Sequence, residues 1–182
     1  MAVEFSKDFC LFYAKTTKDQ REYTKKELED SKLVVKHKFN FIGGEYVVFQ
    51  DKTIENIQVK TLLGSCVSVV AYDVKTGITG VNHFLLPIIM TQSKNDFREG
   101  LFSIQSMIAK MMEYGCKKSH IKIKIYGGAK MSSTSTIGQK NIEFVTEWAK
   151  QNGLSFQLVD IGGVQGRQIE VKNYFIIKSS KV

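Results

Sequence analysis

The chain has 182 residues, 43% hydrophobic and 24% charged, proportions that fit one globular domain with a substantial core and exclude wholesale disorder. Its 26 basic and 18 acidic side chains leave a formal charge of +8, and the excess gathers in residues 121–182, favouring an acidic partner (protein, nucleic acid or membrane surface) without choosing among them. Three cysteines without C-x-x-C spacing support neither a disulfide framework nor a zinc site, and no apolar stretch nears the roughly 20 residues of a membrane helix.

Residues 1–38 differ from the rest. MAVEFSKD brings acids early and the apolar run FCLFYA is short, so no secretory signal is read and a soluble cytoplasmic protein is expected. TTKDQREYTKKELEDSK is polar, glycine-free and dense in helix formers of both charges. It predicts a helical or mobile N-terminal arm over residues 1–38, with FCLFYA docking on the main body or on a partner.

From Phe39 to residue 182 a single domain is expected. FNFIGGEYVVFQ, IENIQVKTLL, GSCVSVVAYD and ITGVNHFLLP read as strands. TQSKNDFREG is a polar loop. Leu101, Ile104, Ile108 and Met111 stand at helical spacing, with Gly115 placed to end the helix. IKIKIY alternates as a half-buried strand, and GGAKMSSTSTIG is a long loop. NIEFVTEWAKQNG forms a second amphipathic helix, and LSFQLVDIGG, GRQIEV and NYFIIK close the chain as strands. Many strands with two internal helices predict α+β layers, not a doubly wound parallel sheet.

The chemistry-bearing residues lie in TLLGSCVSVVAYDVKTGITGVNHFLLP. A four-residue loop Val74–Gly77, with Gly77 taking a positive φ, pairs Asp73 with Ile78. Continued along the hairpin, this register sets Ser68 opposite His83 and Cys66 one diagonal step away, on the same face. A one-residue slip would separate them to opposite faces. Cysteine is among the most buried residue types, so the same pattern also fits plain packing. Gly64 and Ser65 ahead of the cysteine allow a sharp turn presenting N–H groups, which a developing oxyanion requires. YGGAKM and DIGGVQGR supply further glycine-rich segments, neither with the G-K-[ST] of a phosphate loop. Cys10 lies in the arm, His37 stands among lysines, and Cys116 with His120 reads as a polar connection.

GEYVV, TLLGSCVSVVAYD, GVNHFLLP, REG, YGGAKM, IGQKN and DIGGVQGRQIEV follow one another here as they do in the bacterial chemoreceptor glutamine deamidases, the CheD family, which this chain resembles from about Gly44 onward. The resemblance implies an α/β sandwich with layered mixed sheets and two main helices, similar to the catalytic domain of the cytotoxic necrotizing factor deamidases. It implies a catalytic Cys66, His83 and Thr61, with backbone support from Gly64 and Ser65. The step from Thr61 to Cys66 is one residue shorter than in some members, which a bulge would make good. No cofactor and no metal is implied. The implied partners are methyl-accepting chemoreceptors, through their cytoplasmic helices, and a CheC-like phosphatase. The implied reaction is conversion of receptor glutamine to glutamate through a thioester, with methyl-ester hydrolysis by the same route. The alternative is a mainly non-catalytic binding module for the same partners. Nucleic-acid binding lacks a recognition motif and a basic helix, and membrane insertion is not expected.

Overall fold

A computed structural model of the chain describes residues 12–15, 20–22, 34–35, 38–50, 58–88 and 96–182. The described strands are β1 (Phe12–Lys15), β2 (Gln20–Glu22), β3 (Val34–Val35), β4 (Lys38–Asn40), β5 (Glu45–Gln50), β6 (Gln58–Leu63), β7 (Val67–Asp73), β8 (Ile78–His83), β9 (Ile121–Gly127), β10 (Ser155–Ile161), β11 (Arg167–Val171) and β12 (Ile177–Lys181). Helix α1 spans Gly100–Glu113 and α2 spans Ile137–Gln151. The strands form a seven-stranded sheet, β10-β9-β7-β8-β5-β1-β2, and a five-stranded sheet, β12-β11-β6-β4-β3. Each is mixed, with β9–β10 and β4–β6 as the parallel pairs. The α+β layers expected from the sequence are present.

Burial explains the layering. EYVVFQ in β5 and VSVVAYD in β7 are buried at nearly every position, as strands covered on both faces must be. One face of the seven-stranded sheet presents Val48, Val67, Val69, Ile123 and Ile125 to the helices. The helices answer with Ile104, Met107 and Met111 from α1 and Val145, Trp148 and Ala149 from α2. The other face sets Phe12, Val47, Phe49, Val70 and Val81 against Val59, Leu63, Ile169 and Val171 of the five-stranded sheet. Among the described residues only one face of that second sheet is covered, and β6 and β11 alternate in and out accordingly.

The β7–β8 hairpin has the register expected: Val70 pairs Val81, Ala71 pairs Gly80 and Tyr72 pairs Thr79. Gly77 closes the loop at φ 73°, a value costly to a residue with a Cβ. The ladder lapses above Val70, because the buried Asn82 side chain takes the Val69 N–H on Oδ1 (2.8 Å) and donates through Nδ2 to Ser103 of α1 (3.0 Å). It resumes with a bridge between Val67 and Phe84.

Three local readings change. Of the segment expected as an arm, Phe12–Lys15 is β1, paired with β5, and its Phe12 and Ala14 lie in the inter-sheet core. Gln20–Glu22, Val34–Val35 and Lys38 are also in strands; the remainder of 1–38, with Cys10 and His37, lies outside the described residues. Helix α2 begins at Ile137, earlier than the apolar periodicity indicates, because its first turn is polar. NYFIIK does not run as one strand: Asn173 Oδ1 accepts the Phe175 and Ile176 N–H groups, both at 2.9 Å, and this turn delays β12 until Ile177.

Replacing Asn82 with alanine strands the Val69 N–H and the Ser103 hydroxyl in the interior. The expected loss is about 2–3 kcal/mol of unfolding free energy, read as a lower urea midpoint at unchanged slope; a midpoint like the wild type's would show that the wedge contributes nothing.

Candidate active site

Strand β6 belongs to the five-stranded sheet and β7 to the seven-stranded one, so Gly64, Ser65 and Cys66 carry the chain between layers. Every carbonyl in this crossing is held. Gly64 accepts from the Ala129 N–H (2.9 Å) and Cys66 from the Gly128 N–H (2.8 Å). Ser65 accepts from Asn141 Nδ2 (2.9 Å), which also donates to the Leu85 carbonyl at 2.8 Å. Close packing of bare backbone makes this possible. Gly127 sits at φ 109°, and a Cβ there would land on the Cys66 carbonyl oxygen. A Cβ at Gly138, in the first turn of α2, would strike the Gly128 and Ala129 carbonyls. Among the described residues, the Ser65 and Cys66 N–H groups have no acceptor in another residue.

His83 ends β8 with its side chain in the space between the sheets, 5% exposed. Thr61, 2% exposed, reaches it from β6 across that space, its Oγ1 2.8 Å from His83 Nδ1. The same hydroxyl donates to the Phe41 carbonyl at 2.8 Å. A hydroxyl has one proton to give, so the bond to His83 must run from Nδ1–H to Oγ1. That fixes the tautomer and leaves Nε2 with an open lone pair. Nε2 is buried and has no hydrogen-bond partner among the described residues. Gly43 lies beside it: a Cβ there would collide with Leu85 and stand 3.5 Å from Nε2. Cys66, half-buried against the inter-sheet cluster, stands one diagonal step from His83 in the register that pairs Val67 with Phe84, and no hydrogen bond joins the two side chains.

The support for Thr61 and His83 is itself pinned. The Ile42 N–H donates to Glu45 Oε2 (2.9 Å), the Glu45 N–H returns to the Ile42 carbonyl (3.2 Å), and the Gly44 N–H donates to the His83 carbonyl (2.8 Å). Glu45 is 5% exposed and stands opposite His83 in the ladder. Behind the crossing, Arg167 is fully buried. Its guanidinium donates to the carbonyls of Gly127 (3.3 Å), Asp160 (2.5 Å), Gln165 (3.3 Å) and Gly162, and to Asp160 Oδ1 (3.0 Å). DIGGVQGR is thus a loop wrapped around its own arginine, one of whose contacts steadies the β9 end that grips Cys66.

Burial alone depresses the His83 imidazole to about 4, and burial raises the Cys66 thiol against a smaller pull from its own N–H. Both shifts favour an uncharged pair, thiol beside neutral imidazole. The alternative cysteine is different. Cys116 is 4% exposed, its Sγ lies 3.4 Å from Thr76 Oγ1, and burial pushes its thiol up to about 11. His120 faces Asp73 at 3.9 Å, and no hydrogen bond joins it to Cys116 among the described residues. No group of three or more His, Cys, Asp or Glu arranged to hold a metal occurs among the described residues.

The sequence reading named Cys66, His83, Thr61, Gly64 and Ser65, and the fold brings Thr61 to His83 despite the short step to Cys66. It assigned no role to Asn141, Gly127, Gly128, Phe41 or Glu45. IGQKN, YGGAKM and GEYVV contain four of them and carried the signal. The Phe41 carbonyl carries none, since any residue has one.

A family model described as CheD chemotactic sensory transduction matches residues 85–175. A Vibrio cholerae protein named probable chemoreceptor glutamine deamidase CheD is 33% identical over 141 residues, covering 70% of this chain and 57% of that protein. A Vibrio vulnificus protein of the same name is 34% identical over 143 residues, covering 70% and 62%. A Hydrogenovibrio crunogenus protein, again so named, is 31% identical over 137 residues, covering 72% and 70%. The chain therefore spans less than two thirds of the two Vibrio relatives. No helix among the described residues is long and apolar enough to cross a membrane.

The depressed His83 value has a consequence for stability. Between about pH 6.5, where an unfolded imidazole titrates, and about pH 4, the unfolded chain binds a proton that the folded chain refuses. Stability is therefore highest above this window and falls as pH drops through it, by on the order of 3 kcal/mol. Unfolding titrations at successive pH values on wild type and His83→Gln check this; equal slopes in the two proteins would contradict it.

Proposed function

The chain belongs to the CheD family, and from that premise we propose that it is a chemoreceptor glutamine deamidase using Cys66 as nucleophile, His83 as base and Thr61 to hold the base. The observation that carries the reading is the Thr61 hydroxyl: its one proton goes to Phe41, so His83 keeps an open lone pair on Nε2, one diagonal step of the hairpin from Cys66.

A receptor glutamine enters with its carboxamide over Cys66. As Sγ attacks the carbonyl carbon, the thiol proton passes to Nε2, so the uncharged resting pair becomes charged only on the reaction path. The oxyanion is taken by the Ser65 and Cys66 N–H groups. Their turn is tied through all three of its carbonyls, so they need no reorganisation, and such donors contribute about 3–4 kcal/mol each. The imidazolium returns its proton to the departing nitrogen, ammonia leaves, and a thioester remains. Water then gives a proton to Nε2 and attacks the thioester, releasing glutamate and restoring the thiol. A glutamyl methyl ester meets the same machinery, with methanol as the leaving group.

The catalytic unit in this reading is one domain over residues 39–182, extended by β1, with a sandwich akin to the cytotoxic necrotizing factor deamidase domain. It works in the cytoplasm on the helices of methyl-accepting receptors, with a CheC-type phosphatase as regulator. It calls for no cofactor or metal.

The test is ammonia release from receptor glutamines, together with a one-unit mass gain on receptor peptides. Cys66→Ala should fall to background. Thr61→Val, which keeps shape but removes the hydroxyl that fixes the tautomer, should lose about ten- to a hundredfold in kcat with thiol labelling retained. Release from Cys66→Ala at the wild-type rate would remove Cys66 from its role.

A further inference from the structure

The end of the sandwich away from Cys66 has a feature that deamidation does not use. Two hairpin tips meet there. The β7–β8 turn carries Val74, 42% exposed, and the β11–β12 turn carries Phe175 and Ile176, 68% and 56% exposed. Large apolar side chains grouped in the open mark an interaction surface more often than chance exposure. Both tips are rigid. The buried Asp73 carboxylate accepts the Lys75 and Thr76 N–H groups (2.7 and 3.1 Å), and Asn173 caps the other turn as described above. Phe175 also packs edge-on against Tyr72 and Tyr174, with centroids 5.0 and 5.2 Å apart. Little conformational entropy remains to be lost when something binds.

A cavity lies on each side of Phe175. One, of about 350 Å³, is walled by Lys122, Lys124, Ser155, Gln157, Tyr174 and Phe175. The other, of about 300 Å³, is walled by Gln50, Tyr72, Lys75, Thr76, Asn173 and Phe175, and Val74 borders both. The described lining of the two includes three lysines and no carboxylate. Lys124 is engaged by the Tyr174 carbonyl at 2.9 Å. Lys122 and Lys75 are exposed, with no ion-pair partner among the described residues. Lys122 lies five residues along β9 from Gly127, which grips the cysteine turn, so this surface is on the order of 17 Å from the thiol end.

From this geometry we propose that the Val74–Phe175 end is a second docking surface, for an acidic protein segment bearing an apolar side chain. The apolar residue would seat beside Phe175 and Val74, its flanking carboxylates on Lys122 and Lys75. The cavities favour a protein over a lipid surface: a flat bilayer would meet only the protruding tip, leaving the hydroxyl and amide groups of Ser155 and Gln157 unused. The inference does not rest on the proposed deamidation, because the two surfaces share no residue.

The experiment titrates full-length protein with a fluorescein-labelled peptide of six glutamates around a central leucine, followed by anisotropy and by amide shifts in NMR spectra. Expected are saturable binding that weakens with salt and shifts grouped at Val74, Lys122, Lys124 and Phe175. Lys122→Glu and Phe175→Ser should each weaken binding about five- to tenfold. Both positions are exposed, and an unchanged thermal melt for each variant verifies the fold. Cys66→Ala should bind as wild type does. Shifts scattered over the surface, or grouped at the thiol end, overturn the proposal. So does undiminished binding by both variants. Tighter binding at the same residues by inorganic phosphate, by a nucleoside monophosphate, or by vesicles of one part anionic to three parts neutral lipid also overturns it, in favour of that ligand.

Discussion

Three residues have to carry the chain from one sheet to the other. Packed sheets lie roughly 10 Å apart, and an extended chain covers at most about 3.3–3.6 Å per residue, so the four steps from Leu63 to Val67 cross the gap with room for little more than the bend at Gly64 and Ser65. That constraint sets the rest of the thiol end. A short, bent crossing at a sheet edge leaves its carbonyls without ladder partners, and buried carbonyls must be satisfied. The answer comes from three places: the Gly128 and Ala129 N–H groups and the Asn141 amide. For these to approach, β9 must end in glycine and α2 must begin with glycine in its first turn, as Gly127 and Gly138 do. The turn is therefore held before any ligand is considered, by the Gly128 and Ala129 backbone and the Asn141 amide, with the thiol packed against the inter-sheet cluster.

Burial then sets the electrostatics. A histidine between two sheets cannot cheaply hold charge, and His83 is driven well below its ordinary range. A lone imidazole there would be free to adopt either tautomer. Thr61 removes that freedom by giving its only proton to Phe41. The arrangement resembles the base-and-orienter logic of nucleophilic enzymes, with a hydroxyl in place of the usual carboxylate. A carboxylate would raise the imidazole's proton affinity; a hydroxyl orients it without doing so. The resting pair is consequently uncharged, and in the proposed reaction the charge separation would fall under the Ser65 and Cys66 N–H groups. Arg167 is the contrasting case. It is a buried charge kept in place because Asp160 and four carbonyls share it, and Ser179 and Lys181 hold Asp160 from β12 at 2.5 and 2.6 Å.

What the sequence disclosed follows the same physics. The hairpin register was legible because Gly77 marks a positive-φ position and the strand length then follows. The layers were legible as strand and helix texture, though β5 and β7, buried on both faces, carry no alternation to say which face meets which layer. Contacts made by backbone were not legible: the Phe41 carbonyl and the Gly128 N–H have no side chain to announce them. Side chains that replace backbone bonds were missed for a related reason. Asn82 in the ladder and Asn173 at the β12 turn look like ordinary polar residues until their partners are seen. FYAK was placed in an arm because its polar surroundings outweighed its own apolar pattern, and β5 had an edge for it to pair with.

The two ends of the sandwich also differ in what they offer a partner. At the thiol end the exposed large side chains near the site include Ile42, beside Gly43, and Met131, which stands 3.3 Å from where a Cβ on Gly64 would lie. Burial keeps the Cys66 and His83 side chains uncharged at rest. In the proposed reaction, recognition there would draw on the apolar Ile42 and Met131, on the exposed Lys130 beside Met131 and on hydrogen bonds to the substrate amide. Lys75, Lys122 and Lys124 line the cavities at the other end of β9. A charged partner held there would add affinity through long-range attraction, which screening weakens within about 8–10 Å at physiological salt. At on the order of 17 Å from the thiol, that attraction would leave the Cys66 and His83 proton equilibrium nearly unchanged. Under the two proposals, binding strength at that end would vary without disturbing the neutral Cys66 and His83 pair on which the reaction would depend.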